Sequence, residues 1–200
     1  MIESVTVDKD VLSFLRAIYF GTYKDRYEAA GNRAYRDMNR TIRFNGMEAE
    51  KRNTLRAETI NLLRNEIEKI ISKTCTSQKV FDEWHYLVCS KIRILYRKEG
   101  VQFTFGQAQK WVNMTCKYLF IIGETDFVNC FAYLHIPLDN YIFEAAKTEL
   151  GIAKPSIAWS RWDDYDSQYM SYQIDLRSHI QNVAPLRWEF TNWLKVAREQ

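Results

Sequence analysis

Glycine and proline are scarce in this chain, at seven and three of 200 residues. With almost nothing that reads as strand, that scarcity leaves a compact, helix-rich reading. No low-complexity segment and no internal repeat is present. No run of eighteen apolar residues occurs, and no basic run leads into an apolar stretch at Met1-Ile2-Glu3-Ser4. Neither a membrane span nor a leader is therefore expected, and the chain reads as a soluble, cytoplasmic monomer. Cys75, Cys89, Cys116 and Cys130 form no C-x-x-C pair, and His85, His135 and His179 are equally scattered. Buried free thiols are expected; a metal or other cofactor is not. The phosphate loop, the esterase elbow, the zinc-protease helix and the dinucleotide fingerprint are all missing. A net charge of only +3 means that a nucleic-acid partner must be argued from where the charge lies.

What is present is 46% hydrophobic and 14% aromatic residues, enough for a sizeable core. The pattern describes an all-α fold of about eight helices in one domain, 1–200, with lobes 1–100 and 101–200 around a cleft as an alternative division. Val11, Leu12, Leu15 and Ile18 mark a short amphipathic helix capped by Asp8 or Asp10 and ended by Gly21. From Tyr23 to Gly46 a helix would carry Arg33, Arg36, Arg40 and Arg43 on one side, at steps of three, four and three. Such a stripe is either a track for DNA phosphates or a solvated face paired with Asp37, Glu48 and Glu50. Met47 to Ser72 reads as a long scaffold helix with Leu55, Ile60, Leu63, Ile67, Ile70 and Ile71 inward and Glu58, Glu66 and Glu68 outward. After a polar break at Thr74–Ser77, Phe81 to Lys98 is helical with Trp84, Leu87, Val88, Ile92 and Leu95 inward.

Phe103 to Tyr141 is the stretch with chemical content. Thr104 and Gln107 have the spacing of a capping box, so a helix starts near Phe105. Trp111, Met114, Thr115, Tyr118, Leu119 and Ile122 then recur as a buried stripe, with Gly123 as the stop and Lys110 near the stripe's edge. Thr125 or Asp126 is placed to cap a short helix, Phe127 to Leu134. Pro137 sets an extended approach, and Asp139 caps a helix from Asn140 to Leu150 that Gly151 ends. A lysine amine attacks carbon only after losing its proton, which burial under Trp111 or a nearby Lys117 favours. A carboxylate at a helix start stays ionised there.

The rest of the chain is rich in aromatics. Trp159, Trp162, Tyr165, Tyr169 and Tyr172 follow a turn at Lys154-Pro155-Ser156, and the three tyrosines share a helical face. They either sandwich an extruded base or form core. Asp163, Asp164 and Asp166 start a helix or, alternatively, bind a metal. Pro185 opens the last helix, whose Leu186, Phe190, Trp193, Leu194 and Val196 point inward.

Gly106-Gln107-Ala108-Gln109-Lys110 followed by Ile136-Pro137-Leu138-Asp139 resembles the motifs of the helix-hairpin-helix DNA glycosylases, Gly-x-Gly-x-Lys and Val-Pro-Val-Asp. Ala108 stands for the second glycine, and Thr104-Phe105 stands where that family has Pro-Gly. The 29-residue interval from Lys110 to Asp139 is nearer to the archaeal type of 8-oxoguanine glycosylase. The resemblance implies an all-helical scaffold with a helix-hairpin-helix element and an enzyme that excises an oxidised purine. By it, Lys110 forms a Schiff base with the sugar and Asp139 supports that step. Double-stranded DNA with a damaged base would be held by Arg33, Arg36, Arg40, Arg43, Gly106 and Gln107, and the base stacked by Trp159 or Trp162. The alternative is a non-catalytic DNA-binding or protein-interaction module on the same scaffold.

Overall fold

Helices form where a capping residue meets a sustained apolar period. The computed structural model describes residues 9–72, 75, 77–123 and 127–198, and these contain eight α-helices and no strand. They are α1 (Lys9–Phe20), α2 (Arg26–Met38), α3 (Ala49–Ser72), α4 (Gln78–Lys98), α5 (Phe105–Gly123), α6 (Asn140–Leu150), α7 (Ser171–His179) and α8 (Pro185–Arg198). Among the described residues, no helix is long and apolar enough to cross a membrane.

The capping residues act as their types demand. Asp25 accepts from the Tyr27 and Glu28 amides at the start of α2, and Ser77 accepts from Val80 at the start of α4. Thr104 and Gln107 close a reciprocal box, with Gln107 N donating to Thr104 Oγ1 at 3.1 Å and Thr104 N donating to Gln107 Oε1 at 3.0 Å. Gly151 ends α6 with φ +72°, a left-handed turn that glycine adopts without strain.

Helix α5 is the centre. Every residue from Phe105 to Cys116 is buried, which a single apolar stripe does not imply. Helices α2 and α4 pack on it directly, Tyr35 lying 5.0 Å from Trp111 and the Trp111 indole donating to the Gly31 carbonyl at 3.0 Å. One continuous apolar cluster draws on both halves of the chain. All four cysteines are free and buried within it.

Several expectations are corrected. The arginine-bearing helix stops at Met38, and a 3-10 turn, Asn39–Thr41, follows. Thr41 donates its hydroxyl to the Met38 carbonyl, and the Gln107 amide holds the Thr41 carbonyl at 2.7 Å, so Ile42 turns into the core instead. Leu87 is exposed; the inner face of α4 is carried by His85, Cys89, Ile92 and Tyr96. Phe127–Leu134 is no helix but turns ending in a 3-10 segment, Phe131–Tyr133. In α8, Leu194 is exposed while Trp188, Glu189 and Asn192 are buried. Asp10 lies inside α1, and that helix buries none of its own residues. The other proposed caps, Asp8, Thr125 and Asp126, and Thr74 and Thr76 of the Thr74–Ser77 break lie outside the described residues.

The aromatic run is core. Tyr165–Met170 forms a π-helical turn that leads into α7, and Tyr165, Tyr169 and Tyr172 are all buried. Before it, a 3-10 turn at Trp159–Arg161 crosses the start of α5 so closely that a Cβ on Gly106 would lie 1.6 Å from the Trp159 carbonyl oxygen. The Gly106 amide donates to the Trp162 carbonyl at 3.0 Å at the same crossing. Gly106→Ala must push two backbones apart and is expected to cost about 3 kcal/mol or more. Gly151→Ala, which meets only the penalty of its left-handed φ, should cost about 1 kcal/mol. Urea unfolding of both variants checks this, and equal losses would remove the close-packing role of Gly106.

Candidate active site

Residues 134–138 run extended and buried between helices, with no strand beside them. Their amides and carbonyls must still be paired. Side-chain amides perform that task. Gln173 accepts from the Ile136 amide at 3.4 Å and donates to the Ile136 carbonyl at 2.7 Å. Two residues on, Gln109 accepts from the Leu138 amide at 3.4 Å and donates to the Leu138 carbonyl at 3.3 Å. Asn113 ties the two together by donating to Gln109 Oε1 and to the Tyr169 hydroxyl. Alternate residues of the segment thus meet glutamines as they would meet a neighbouring strand.

This clamp delivers Asp139 to a defined point. Its Oδ1 caps α6 by accepting from Ile142 N at 3.0 Å, and its Oδ2 accepts from Lys110 Nζ at 2.7 Å. Lys110 is only 4% exposed, and Nζ also reaches the Pro137 carbonyl at 3.5 Å. Lysine and carboxylate face a cavity of about 660 Å³, within the range of small-molecule sites. Arg33, Arg36 and Arg40 border it from α2 and the turn after it, and Trp159 adds an aromatic wall. A second buried pair, Lys117 Nζ to Glu189 Oε1 at 2.7 Å, lies on the same cavity.

On the other side of the extended segment His135 anchors a polar network. Its Nε2 is 2.6 Å from Asp82 Oδ1 and its Nδ1 is 2.7 Å from the Tyr169 hydroxyl. Arg177 grips Asp82 with two hydrogen bonds, and His85 meets the Tyr165 hydroxyl at 2.7 Å. Burial by itself would raise the Asp82 carboxyl, but hydrogen bonds from His135 and Arg177 outweigh it and hold Asp82 well below the usual carboxylate range. Burial pushes both imidazoles below their ordinary value, His85 the further. Burial likewise pushes up the thiols of Cys116 and Cys130, the latter to about 12, so neither is a ready nucleophile.

The structure brings together Lys110, Asp139, Arg33, Arg36, Arg40 and Trp159 around one cavity, and it separates the other expected site residues from it. Trp162 is packed against Phe143 and Tyr172 in the core, its indole donating to the Ile157 carbonyl. Arg43 borders a neighbouring groove with Arg161, beyond the end of α2. Gly106 and Gln107 are buried and their amides are used internally, so neither presents a free N–H for a DNA phosphate. Arg33 pairs with Asp37 at 3.6 Å and lies over the Tyr19 ring, whereas Arg36 and Arg40 are exposed and make no ion pair among the described residues. Of the acidic cluster, Asp163 pairs with Arg93 and Arg97 and Asp164 caps the π-helical turn. Among the described residues, no group of three or more His, Cys, Asp or Glu side chains is placed to hold a metal ion.

Gln109, Asn113, Gln173 and Glu189 are the residues to which sequence reasoning gave no role, and Lys117, expected only as a cation near Lys110, is instead the partner of Glu189. Polar side chains recurring on the buried faces of α5, α7 and α8 were the available signal, since each needs a buried partner. No family model matches the chain, nor does any curated protein or any solved structure.

The two neutral imidazoles generate a pH dependence. Below their ordinary value of 6.5 the unfolded chain takes up protons that the folded core refuses. Their contribution to stability is complete above pH 6.5 and is lost as the pH falls. Asp82 adds a loss at lower pH, as acid reaches its depressed titration range. In Glu189→Gln, which lacks the cavity carboxyl that burial raises and that would act in the opposite sense, the thermal midpoint should therefore fall between pH 7 and pH 5. A flat midpoint over that window would show that the imidazoles are not held neutral.

Proposed function

We propose that the protein is a DNA glycosylase with lyase activity acting on a duplex that carries a damaged base of the oxidised-purine kind. The observation supporting this reading is the 2.7 Å contact between Lys110 Nζ and Asp139 Oδ2 at a cavity rimmed by Arg33, Arg36 and Arg40. In this reading a proton passes from Nζ to Oδ2 and leaves a neutral amine beside a neutral acid. The amine lone pair bonds to the sugar C1' as the bond from C1' to the base breaks. The base keeps that electron pair and takes the proton from Asp139. The carboxylate so regenerated stabilises positive charge on the sugar. The attached nitrogen then loses a proton and the C1'–O4' bond opens, its oxygen taking a proton, which yields the protonated imine. Loss of a C2' proton expels the 3' phosphate.

The exposed Arg36 and Arg40 hold the DNA backbone at the mouth, and Trp159 lies against the base. One observation favours a second reading, an interaction module: Phe14, Leu15 and Ile18 of α1 are more than half exposed. The two readings differ in whether the lysine reacts.

Borohydride trapping on duplexes carrying 8-oxoguanine, uracil or an abasic site decides between them. Wild type should give a covalent adduct and Lys110→Gln none, with the variant still folded and less stable by about 1–3 kcal/mol for the altered buried hydrogen bond. No adduct from folded wild type on any duplex would favour the interaction module. A second measurement addresses the rim. In Arg36→Ala/Arg40→Ala, the slope of log affinity for undamaged duplex against log salt should become shallower by about 2. An unchanged slope would mean that these arginines touch no phosphate.

A further inference from the structure

Glu189 has no task in the reaction above, yet it borders the same cavity as Lys110 and Asp139. It is 2% exposed. Its Oε1 accepts from Lys117 Nζ at 2.7 Å, and its Oε2 is buried with no hydrogen-bond partner among the described residues. Leaving a buried carboxyl oxygen without a donor is costly, and a purely structural ion pair would gain from satisfying both oxygens. Burial raises the Glu189 carboxyl, with Lys117 opposing, so the group is held in an environment that resists its charge.

The surroundings specify what would complete it. Both lysines of the cavity already have a carboxylate partner, so the cavity floor is balanced in charge and has no cation to spare for a phosphate. The arginines that can take a phosphate are at the rim. The walls beside Glu189 are flat and apolar: Phe190, the Tyr141–Trp193 pair with ring centroids 5.2 Å apart, and Trp159. Such walls receive a planar ring, and Glu189 Oε2 calls for a hydrogen-bond donor, as Arg33 Nε on the α2 side of the cavity calls for an acceptor.

We infer that Glu189 is the specificity-determining residue of this site, its Oε2 accepting the ring N–H of a lactam base, such as the N1–H of 8-oxoguanine, whose face lies on the aromatic wall. The inference rests on the glycosylase reading and adds the edge of the base that is recognised. A base with a bare ring nitrogen at that position would set a lone pair against the carboxylate and be rejected. Lys117 is the positioning residue that holds Oε1 and so orients Oε2.

The test compares two activities of the same preparations, single-turnover excision of 8-oxoguanine from a duplex and borohydride trapping at a preformed abasic site, which has no base to read. Variants are Glu189→Gln, which sets a donor amide against the ring N–H, and the double variant Lys117→Met/Glu189→Met, which removes the pair without leaving a lone charge. Excision relative to abasic trapping should fall about 100-fold in both. An unchanged ratio, with excision either intact or lost in step with trapping, would overturn the assignment. A direct binding measurement covers the case in which wild type traps nothing and the lysine reading fails. Hypoxanthine should quench the tryptophan fluorescence of wild type at concentrations at least tenfold lower than 1-methylhypoxanthine, whose N–H is blocked. Glu189→Gln should lose that preference, and equal affinity of wild type for the two bases would overturn the role of Glu189.

Discussion

An extended backbone buried among helices has no neighbouring backbone with free hydrogen-bonding groups, because helices consume their own. Residues 134–138 are in that position, and the way their need is met organises the molecule. Gln109 from α5 and Gln173 from α7 each pair with both the amide and the carbonyl of one residue, two positions apart along the segment. Because Gln109 precedes Lys110 directly, the bond that satisfies the segment also sets the lysine's helix against Asp139. The same segment carries His135 outward to Asp82 and Arg177, so α4 and α7 are tied to the site through one short piece of chain.

The approach of the 3-10 turn to Gly106 decides which side of α5 is open. In an exposed helix start the first amides are available to an anion. Here the Trp162 carbonyl and the Thr104–Gln107 box occupy them, and the turn covers them. Access is left along the flank of α5 that faces α2 and α8, where Lys110 and Lys117 project seven residues apart in the same direction. The electrostatics follow from that choice. The two cavity lysines are matched one to one by Asp139 and Glu189, while Arg36 and Arg40, which have no ion pair among the described residues, stay at the mouth, where water supports their charge. The cavity therefore has a balanced floor and a basic rim.

What could be read from the sequence alone was whatever depends on neighbours a few residues away. The capping box, the Asp139 cap, the Gly151 stop, the Pro185 start and the inward stripe of α3 are all local rules and stand in the structure as they do in the sequence. The pairing of Lys110 with Asp139 was legible through two short motifs, not through periodicity. The arginine stripe was legible as charge but not as geometry, because the helix that would have aligned Arg43 with Arg33 is ended by a contact between Gln107 and Thr41, 66 residues apart.

By itself, then, the amino-acid sequence determined most of the helices, most of their ends and, at two helix starts, a lysine and an aspartate that the fold brings within 2.7 Å. The tertiary structure alone decided that α5 is buried at every position from Phe105 to Cys116, that Trp162 belongs to the core, that the amides of Gly106 and Gln107 are closed off, and that Glu189 shares the cavity. The physical reason is range. Propensity and capping act within one turn of chain, whereas burial of a polar group is worth its cost only when a partner arrives from another helix, and no periodic pattern names that partner.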